Sequence, residues 1–329
     1  MQGTLKKNVY DCFIFFNELD LLELRLNELN RVVDYFVLVE SRYSHTNQPK
    51  PLFFNENKKR FSQFLPKIRH IIIDSFESVP PIESYSFYKN DKGYRAMVKK
   101  NPSLWARELF QRDQIIKGLH DAKPTDVVLI GDVDEIPRAE AVAKSLDTEE
   151  ILVLKQTMYV GYINLKVIKL WSGTKVLPCS LLSSPQEIRL VRKAKAIYHG
   201  GWHFSSIGSL EQIRYKLASY THQELHTKQN SSTAAIMKYL DYGLNISETG
   251  FPVRSAKIDS SFPDYILKNR QQFAKYEKPT VKRRKFLTSD IDFLRLEIEK
   301  LRNKANVLQM ENELLKMTIE EFELSTKLP

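Results

Sequence analysis

One segment constrains the fold more than any other: residues 126–131, DVVLIG, read as a buried strand and stop abruptly in the acidic cluster DVDE at residues 132–135. A run this short, with β-branched and aliphatic side chains in sequence, suits a strand of a parallel sheet covered on both faces. Upstream, residues 10–16, 35–40 and 71–74 have the same character. Between the first two, residues 18–33 carry Leu19, Leu22, Leu26 and Leu29 at helical spacing. Residues 103–119 form a second helical segment through Trp105, Leu109, Ile115, Ile116 and Leu119; Ser103 starts it, preceded by Pro102, and a turn at 121–125 ends it. Strand, helix, strand is the opening of an α/β fold with a Rossmann-like parallel sheet. In such sheets ligands gather at the carboxyl ends of the strands, which is where DVDE falls. Farther on the pattern is less regular, with strand-like stretches at 151–162 and 195–198 and a helix at 209–220.

The tail follows a different period. With Ile291 at position a, the a positions are Ile291, Ile298, Ala305, Asn312 and Ile319, and the d positions are Leu287, Leu294, Leu301, Leu308, Leu315 and Phe322. β-Branched a residues over Leu at d favour two parallel helices, and one Asn at a selects the dimer. The g-to-e′ pairs Asp290 with Arg295, Glu297 with Arg302 and Glu311 with Lys316 are opposite in sign. The expected organisation is therefore a catalytic unit over 1–276, a basic linker over 277–286 and a parallel dimeric coiled coil over 287–323.

Composition narrows the function classes. The two cysteines, Cys12 and Cys179, lie far apart without metal-ligand neighbours, which excludes a disulfide framework and a zinc knuckle and fits a reducing compartment. No stretch has the length and apolarity of a membrane span, and the first residues lack a signal-type apolar core. A cytoplasmic location is the expectation. The formal charge of +10 favours anionic partners, and Lys278, Lys282, Arg283, Arg284 and Lys285 concentrate it before the tail, where they would hold the protein peripherally at an anionic membrane. The basic residues do not interleave with aromatics as in a nucleic-acid module, so no nucleic-acid partner is expected.

Chemistry centres on Asp132 and Asp134, a D-x-D at the end of an apolar strand, where alternate side chains share a side and two carboxylates can share a cation. Mg²⁺ or Mn²⁺ held this way binds through one or two carboxylates plus the oxygens of a diphosphate. His203, in HGGWHFSSIG, is a further metal ligand by type, or simply packs in a loop. Asn17, Glu18 and Glu40 sit at strand ends where a nucleotide base and ribose would lie, with helix capping as the competing role for Asn17. Arg138, Arg189 and Arg192 are candidates to clamp a diphosphate. For general acid or base work Glu135, Glu187, His222 and Glu224 are available, and spacing does not choose among them.

Five segments, YDCFIFFNELDLLELRLNEL, VDYFVLVESRYSHTNQPKPL, WARELFQRDQIIKGL, DVVLIGDVDEIPR and GGWHFSSIG followed by SYTHQE, together resemble glycosyltransferase family 17 and cover most of residues 10–227. The resemblance implies a GT-A type nucleotide-sugar-binding domain, UDP-N-acetylglucosamine as donor, a glycan acceptor and inversion at the anomeric carbon. It assigns Asp132 and Asp134 to the metal, adds His203 to them, and puts Asn17 and Glu40 at the nucleotide, where Arg189 and Arg192 remain candidates by residue type alone. Glu224 is the preferred base, with Glu135 behind it. Unlike the family's anchored animal members, this sequence opens without an anchor and adds the heptad tail, which shifts the expected acceptor toward a surface or lipid-linked glycan. Two rivals remain. A haloacid-dehalogenase-like phosphatase also presents D-x-D at a strand end, but near the start of its domain and followed by Thr or Val rather than Glu135 and Ile136. A non-catalytic sugar-binding or scaffold protein would make the coiled coil the working part.

Overall fold

The computed structural model describes residues 6–221, 232–241 and 253–278. The expected coiled coil, most of the basic linker, His222 and Glu224 lie outside the described residues.

The chain opens with strand β1 (Val9–Phe15), helix α1 (Leu19–Leu29) and strand β2 (Tyr35–Ser41), followed by β3 (Ile68–Ile73). Helix α2 (Pro102–Asp113), with proline at its start, leads through a 3-10 turn (Gln114–Leu119) into β4 (Val127–Asp132). Then come β5 (Glu135–Pro137), β6 (Leu152–Val160), β7 (Leu165–Pro178), helix α3 (Pro185–Leu190), β8 (Lys195–Ser205), helix α4 (Leu210–Ser219), helix α5 (Thr233–Asp241) and β9 (Val253–Ser255).

Among the described residues nine strands form one sheet in the order β3-β2-β1-β4-β7-β6-β8-β5, with β9 beside β7. The first four are mutually parallel, as the alternation of strand and helix requires. Here the expected Rossmann-like half is present. β7 runs antiparallel to both β4 and β6, and β8 is parallel to β6, so the carboxyl ends of β1, β4 and β8 emerge at the same edge.

The parallel strands are buried on both faces. Val9, Phe13, Phe15, Phe36, Leu38, Val127 and Leu129 point toward α1, while Tyr10, Cys12, Val37, Val39, Val128 and Ile130 point toward the 3-10 turn after α2. Continuous apolar runs rather than alternation are the consequence. β1 lies between β2 and β4, so successive strands leave it in opposite directions. That is the topological switch point, where adjacent loops diverge and open a crevice.

The least regular part of the sequence departs from expectation. β7 spans fourteen residues where no strand was expected, and β8 continues from Lys195 through the glycine pair to Ser205 rather than ending at 198. Gly201 explains the run-through: at φ +132° it passes so close to β5 that a Cβ would meet the Ile136 carbonyl oxygen at 2.1 Å. His203 consequently sits on a strand, paired opposite Glu135, and not in a loop.

Candidate active site

The acidic cluster lies at the switch point because β4 ends there and because a buried arginine fixes the loop between β4 and β5. Arg25, on the inner face of α1, has no exposed surface. Its Nε and Nη2 donate to the two carboxylate oxygens of Asp11 in β1 at 2.7 and 2.6 Å. Its Nη1 donates to the carbonyls of Asp132 at 2.7 Å and Glu135 at 2.8 Å, with Val133 at 3.4 Å. The guanidinium also covers the Phe13 ring at 4.5 Å. A planar fork of donors suits this bidentate pairing, and a buried charge is tolerated only when so completely partnered. Gly131 completes the fit, since a Cβ there would meet Thr174 Oγ1 at 2.7 Å. Thr174 donates to the Glu135 carbonyl at 3.2 Å.

Above this loop lies a cavity of about 630 Å³ lined by Asp132, Asp134, Glu135, His203, Arg112, Arg189 and Lys216 among others. Asp132 accepts from Arg112 Nη2 at 2.9 Å and Arg189 Nη2 at 3.3 Å. Asp134 accepts from Lys216 Nζ at 2.9 Å and has His203 Nε2 at 3.6 Å from its other oxygen. Burial alone would raise both carboxyls, but their neighbours outweigh it: Arg112 and Arg189 hold Asp132, and Lys216 holds Asp134, below the ordinary carboxylate range. Both aspartates are ionised and both are already neutralised by fixed cations.

The cations come from two helices and the short α3. On α2 the spacing i, i+3, i+4 puts Glu108, Gln111 and Arg112 on one face, and Arg112 reaches back to Glu108 at 3.1 Å. α4 starts in a capping box, with Ser209 Oγ accepting from the Gln212 N–H and Gln212 Oε1 from the Ser209 N–H. It buries Ile213 and Leu217, which turns Lys216 toward the site, where it lies between Asp134 and Glu18 at 2.9 and 2.8 Å. Arg189 comes from α3. Three nitrogens here are buried without a partner: Arg112 Nε, Arg189 Nη1 and His203 Nδ1. Unsatisfied donors on this scale are costly and belong where a ligand completes them.

The expected site residues divide. Asp132, Asp134, His203 and Arg189 are brought together. Glu135 joins them but is sealed: its carboxylate is taken by Arg189, by Trp171 Nε1 at 2.5 Å and by the Asp132 N–H at 3.3 Å. Glu40, expected at the nucleotide, has no exposed surface and instead accepts from the Phe54 N–H at 3.0 Å and meets His70 Nε2 at 3.0 Å, because the end of β2 is roofed by the segment after it. Arg192 is out on the surface, paired with Asp91 at 2.7 Å. Arg138 packs on the Trp202 ring at 4.2 Å and donates to the Ser261 carbonyl. Glu187 binds Ser86. Asn17 lines a neighbouring cavity and not this one. Arg25, Arg112, Lys216 and Trp171 were missed. Arg25 had left a signal, a charge on the apolar stripe Leu22, Leu26, Leu29; Arg112 and Lys216 had left none.

Among the described residues no three His, Cys, Asp or Glu side chains form a metal-holding group. No described helix is long and apolar enough to cross a membrane.

Comparison with known proteins fits this geometry. Residues 2–249 match the family described as Glycosyltransferase family 17. The chain is 30% identical over 128 residues to the beta-1,4-mannosyl-glycoprotein 4-beta-N-acetylglucosaminyltransferase of Homo sapiens, a stretch that is 38% of this chain and 21% of that protein. The Rattus norvegicus protein of the same name matches over the same lengths at 30% identity. The match thus spans about a fifth of these curated relatives. With three quarters of its length inside one family pattern, the chain belongs to glycosyltransferase family 17.

Proposed function

We propose that this protein transfers a sugar, N-acetylglucosamine from its UDP donor, to a hydroxyl of a glycan acceptor with inversion at the anomeric carbon. The observation that carries the reading is the ring of Arg112, Arg189 and Lys216 around Asp132 and Asp134 at the switch point. A diphosphate is the ligand that such a mixed site suits, since its oxygens accept charge-assisted hydrogen bonds from guanidinium and ammonium groups such as those of Arg112, Arg189 and Lys216 in the cavity wall. In the displacement, the acceptor oxygen attacks the anomeric carbon as the bond to the diphosphate breaks and its electron pair leaves on the phosphate oxygen. The two arginines and Lys216 stabilise that charge where it develops. The acceptor proton goes to a base, for which Glu224 stands ahead of Glu135, whose oxygens are already engaged.

The residues fit a divalent cation of the Mg²⁺ or Mn²⁺ kind. Asp134 and His203 Nε2, 3.6 Å apart, lie within the spacing of two ligands on one ion, and such ions take their remaining ligands from phosphate and water. When bound, the ion supplies Lewis-acid neutralisation of the leaving diphosphate. Dimerisation through 287–323, membrane contact through the basic linker and a cytoplasmic place of action remain proposals drawn from sequence.

The test is a panel of UDP-, GDP- and CMP-sugars with and without Mn²⁺, reading nucleotide release, alongside calorimetric binding of UDP. Release from a UDP-sugar that needs the metal and drops at least about 100-fold in Asp132→Ala and Asp134→Ala is expected. A protein that binds no nucleotide in the presence of metal overturns the reading.

A further inference from the structure

A transferase needs two adjoining sites, and the chain has a second cavity of about 500 Å³ beside the first. The two share three wall residues, Glu18, Ser206 and Lys216. The shared wall is firmly built. Glu18 Oε2 accepts from the N–H groups of Phe16 and Asn17 at 3.3 and 3.0 Å, and its Oε1 meets Lys216 at 2.8 Å. Ser206 holds a left-handed backbone, φ 55°, which a non-glycine residue adopts at a cost and which clusters at ligand sites. Lys216 spans the wall, touching Glu18 on one side and Asp134 on the other.

The chemistry of the two cavities differs. The larger one is lined by the cations Arg112, Arg189 and Lys216, and two of them, Arg112 and Arg189, keep a buried nitrogen without a partner. In the smaller one the charges are spent on each other: Asp20 binds Arg60, Lys275 at 2.8 Å and the Tyr276 hydroxyl at 2.5 Å. The rest of the smaller lining consists of amides, hydroxyls and aliphatic groups, with Asn17, Ser209 and Gln212 beside Leu19 and Ile213. An ionic ligand gains little from such walls. A neutral saccharide suits them, with hydroxyls for the amides and C–H faces for the aliphatic side chains, and the volume lies in the range of about 300–1,000 Å³ typical of ligand pockets.

We propose that the smaller cavity is the acceptor site, taking a neutral saccharide whose reacting hydroxyl meets the donor at the Glu18–Lys216 wall. This rests on the transferase reading above, and the experiment separates the two. Purified protein, with UDP and Mn²⁺ present, is applied to an array of neutral glycans ending in mannose, glucose, galactose, rhamnose or N-acetylglucosamine. Two variants go with it: Gln212→Trp fills the cavity from its exposed rim, and Arg214→Trp places the same bulk at an exposed position of the same helix outside the cavity lining. Calorimetry with UDP and thermal melting accompany all three proteins.

The wild type retains at least one class of saccharide, Gln212→Trp loses at least about tenfold of that signal, and Arg214→Trp stays within about threefold, all with UDP affinity unchanged within about twofold. Equal glycan binding by Gln212→Trp overturns the assignment, as does a wild type that binds UDP and no saccharide. If UDP does not bind but Gln212→Trp alone loses saccharide, the donor reading fails and the acceptor cavity stands; binding of neither overturns both.

Discussion

The loop that carries Asp132, Asp134 and Glu135 is held from below by one cluster of charges and faced from above by another. Below it, every nitrogen of Arg25 has a partner, Asp11 is bidentate, and neither residue has exposed surface. Above it, Arg112, Arg189 and His203 each keep a buried nitrogen with no partner, and Asp132 is 29% exposed. The lower cluster is closed and its interactions are internal to the fold. The upper one is incomplete in a specific way, with nitrogens left unpartnered on residues that line the cavity, which is how a fold presents a site prepared for an anionic ligand rather than a stabilising contact. Buried ion pairs in the two layers thus serve different ends, and their substitutions separate them.

The largest effect is expected below. Arg25→Met strands the Asp11 charge and three carbonyls, and should cost about 3–5 kcal/mol, seen as a fall in melting temperature of roughly 10 °C. A melt within experimental scatter of the wild type would erase the distinction between the layers. The double variant Asp11→Leu/Arg25→Met leaves no unpaired charge and should recover part of that loss, to about 1–2 kcal/mol below wild type. Its acidic loop nevertheless loses its tether, so amide exchange over residues 131–136 should be faster than in the wild type.

A third charged cluster sharpens the contrast with an intermediate case. Burial pushes the Asp20 carboxyl up, but Lys275, Tyr276 and Arg60 more than offset it and hold it at about 2 against its ordinary 3.8. A depressed carboxyl stabilises fully above its unfolded value and loses that stability as pH falls through the folded one. Asp20→Asn should therefore be less stable than wild type by on the order of 2 kcal/mol at pH 6, and the difference should close between pH 3.8 and about 2 in denaturant titrations. A gap that persists at pH 2 would mean that Asp20 acts by packing.

The smallest effect on the fold is expected above the loop. Arg112→Lys keeps the charge but forfeits the planar fork, so UDP affinity should fall about tenfold by calorimetry while the melting temperature moves by no more than about 3 °C. A large drop in stability with UDP affinity intact would reverse the roles assigned to the two layers.

Much of the parallel half was legible in advance, since local pattern and burial agree there. β1, β2 and β4 fall within one residue of the expected bounds, and α1 carries the expected leucines. β3 begins earlier, at Ile68, because its first residues are only half buried and carry Arg69 and His70 on an edge strand. The antiparallel half was not legible. In β7, Lys166, Lys169, Ser172 and Gly173 break the apolar run, and only pairing with β4, β6 and β9 makes it a strand. Of the site, the acidic strand end and His203 could be read, whereas the inward position of Glu40 and the distance of Arg192 could not.

By itself, the sequence determined where apolar runs form strands, where leucines repeat at helical spacing and where carboxylates interrupt them, because these depend on the period of each element and the hydrophobic effect. Tertiary structure decided which charges face one another. Arg25 comes from 107 residues before Asp132, and Lys216 from 82 residues after Asp134. An ion pair across such a separation has no local signature, since only the packed sheet and its covering helices bring the partners within hydrogen-bonding distance and exclude the water that would otherwise screen them.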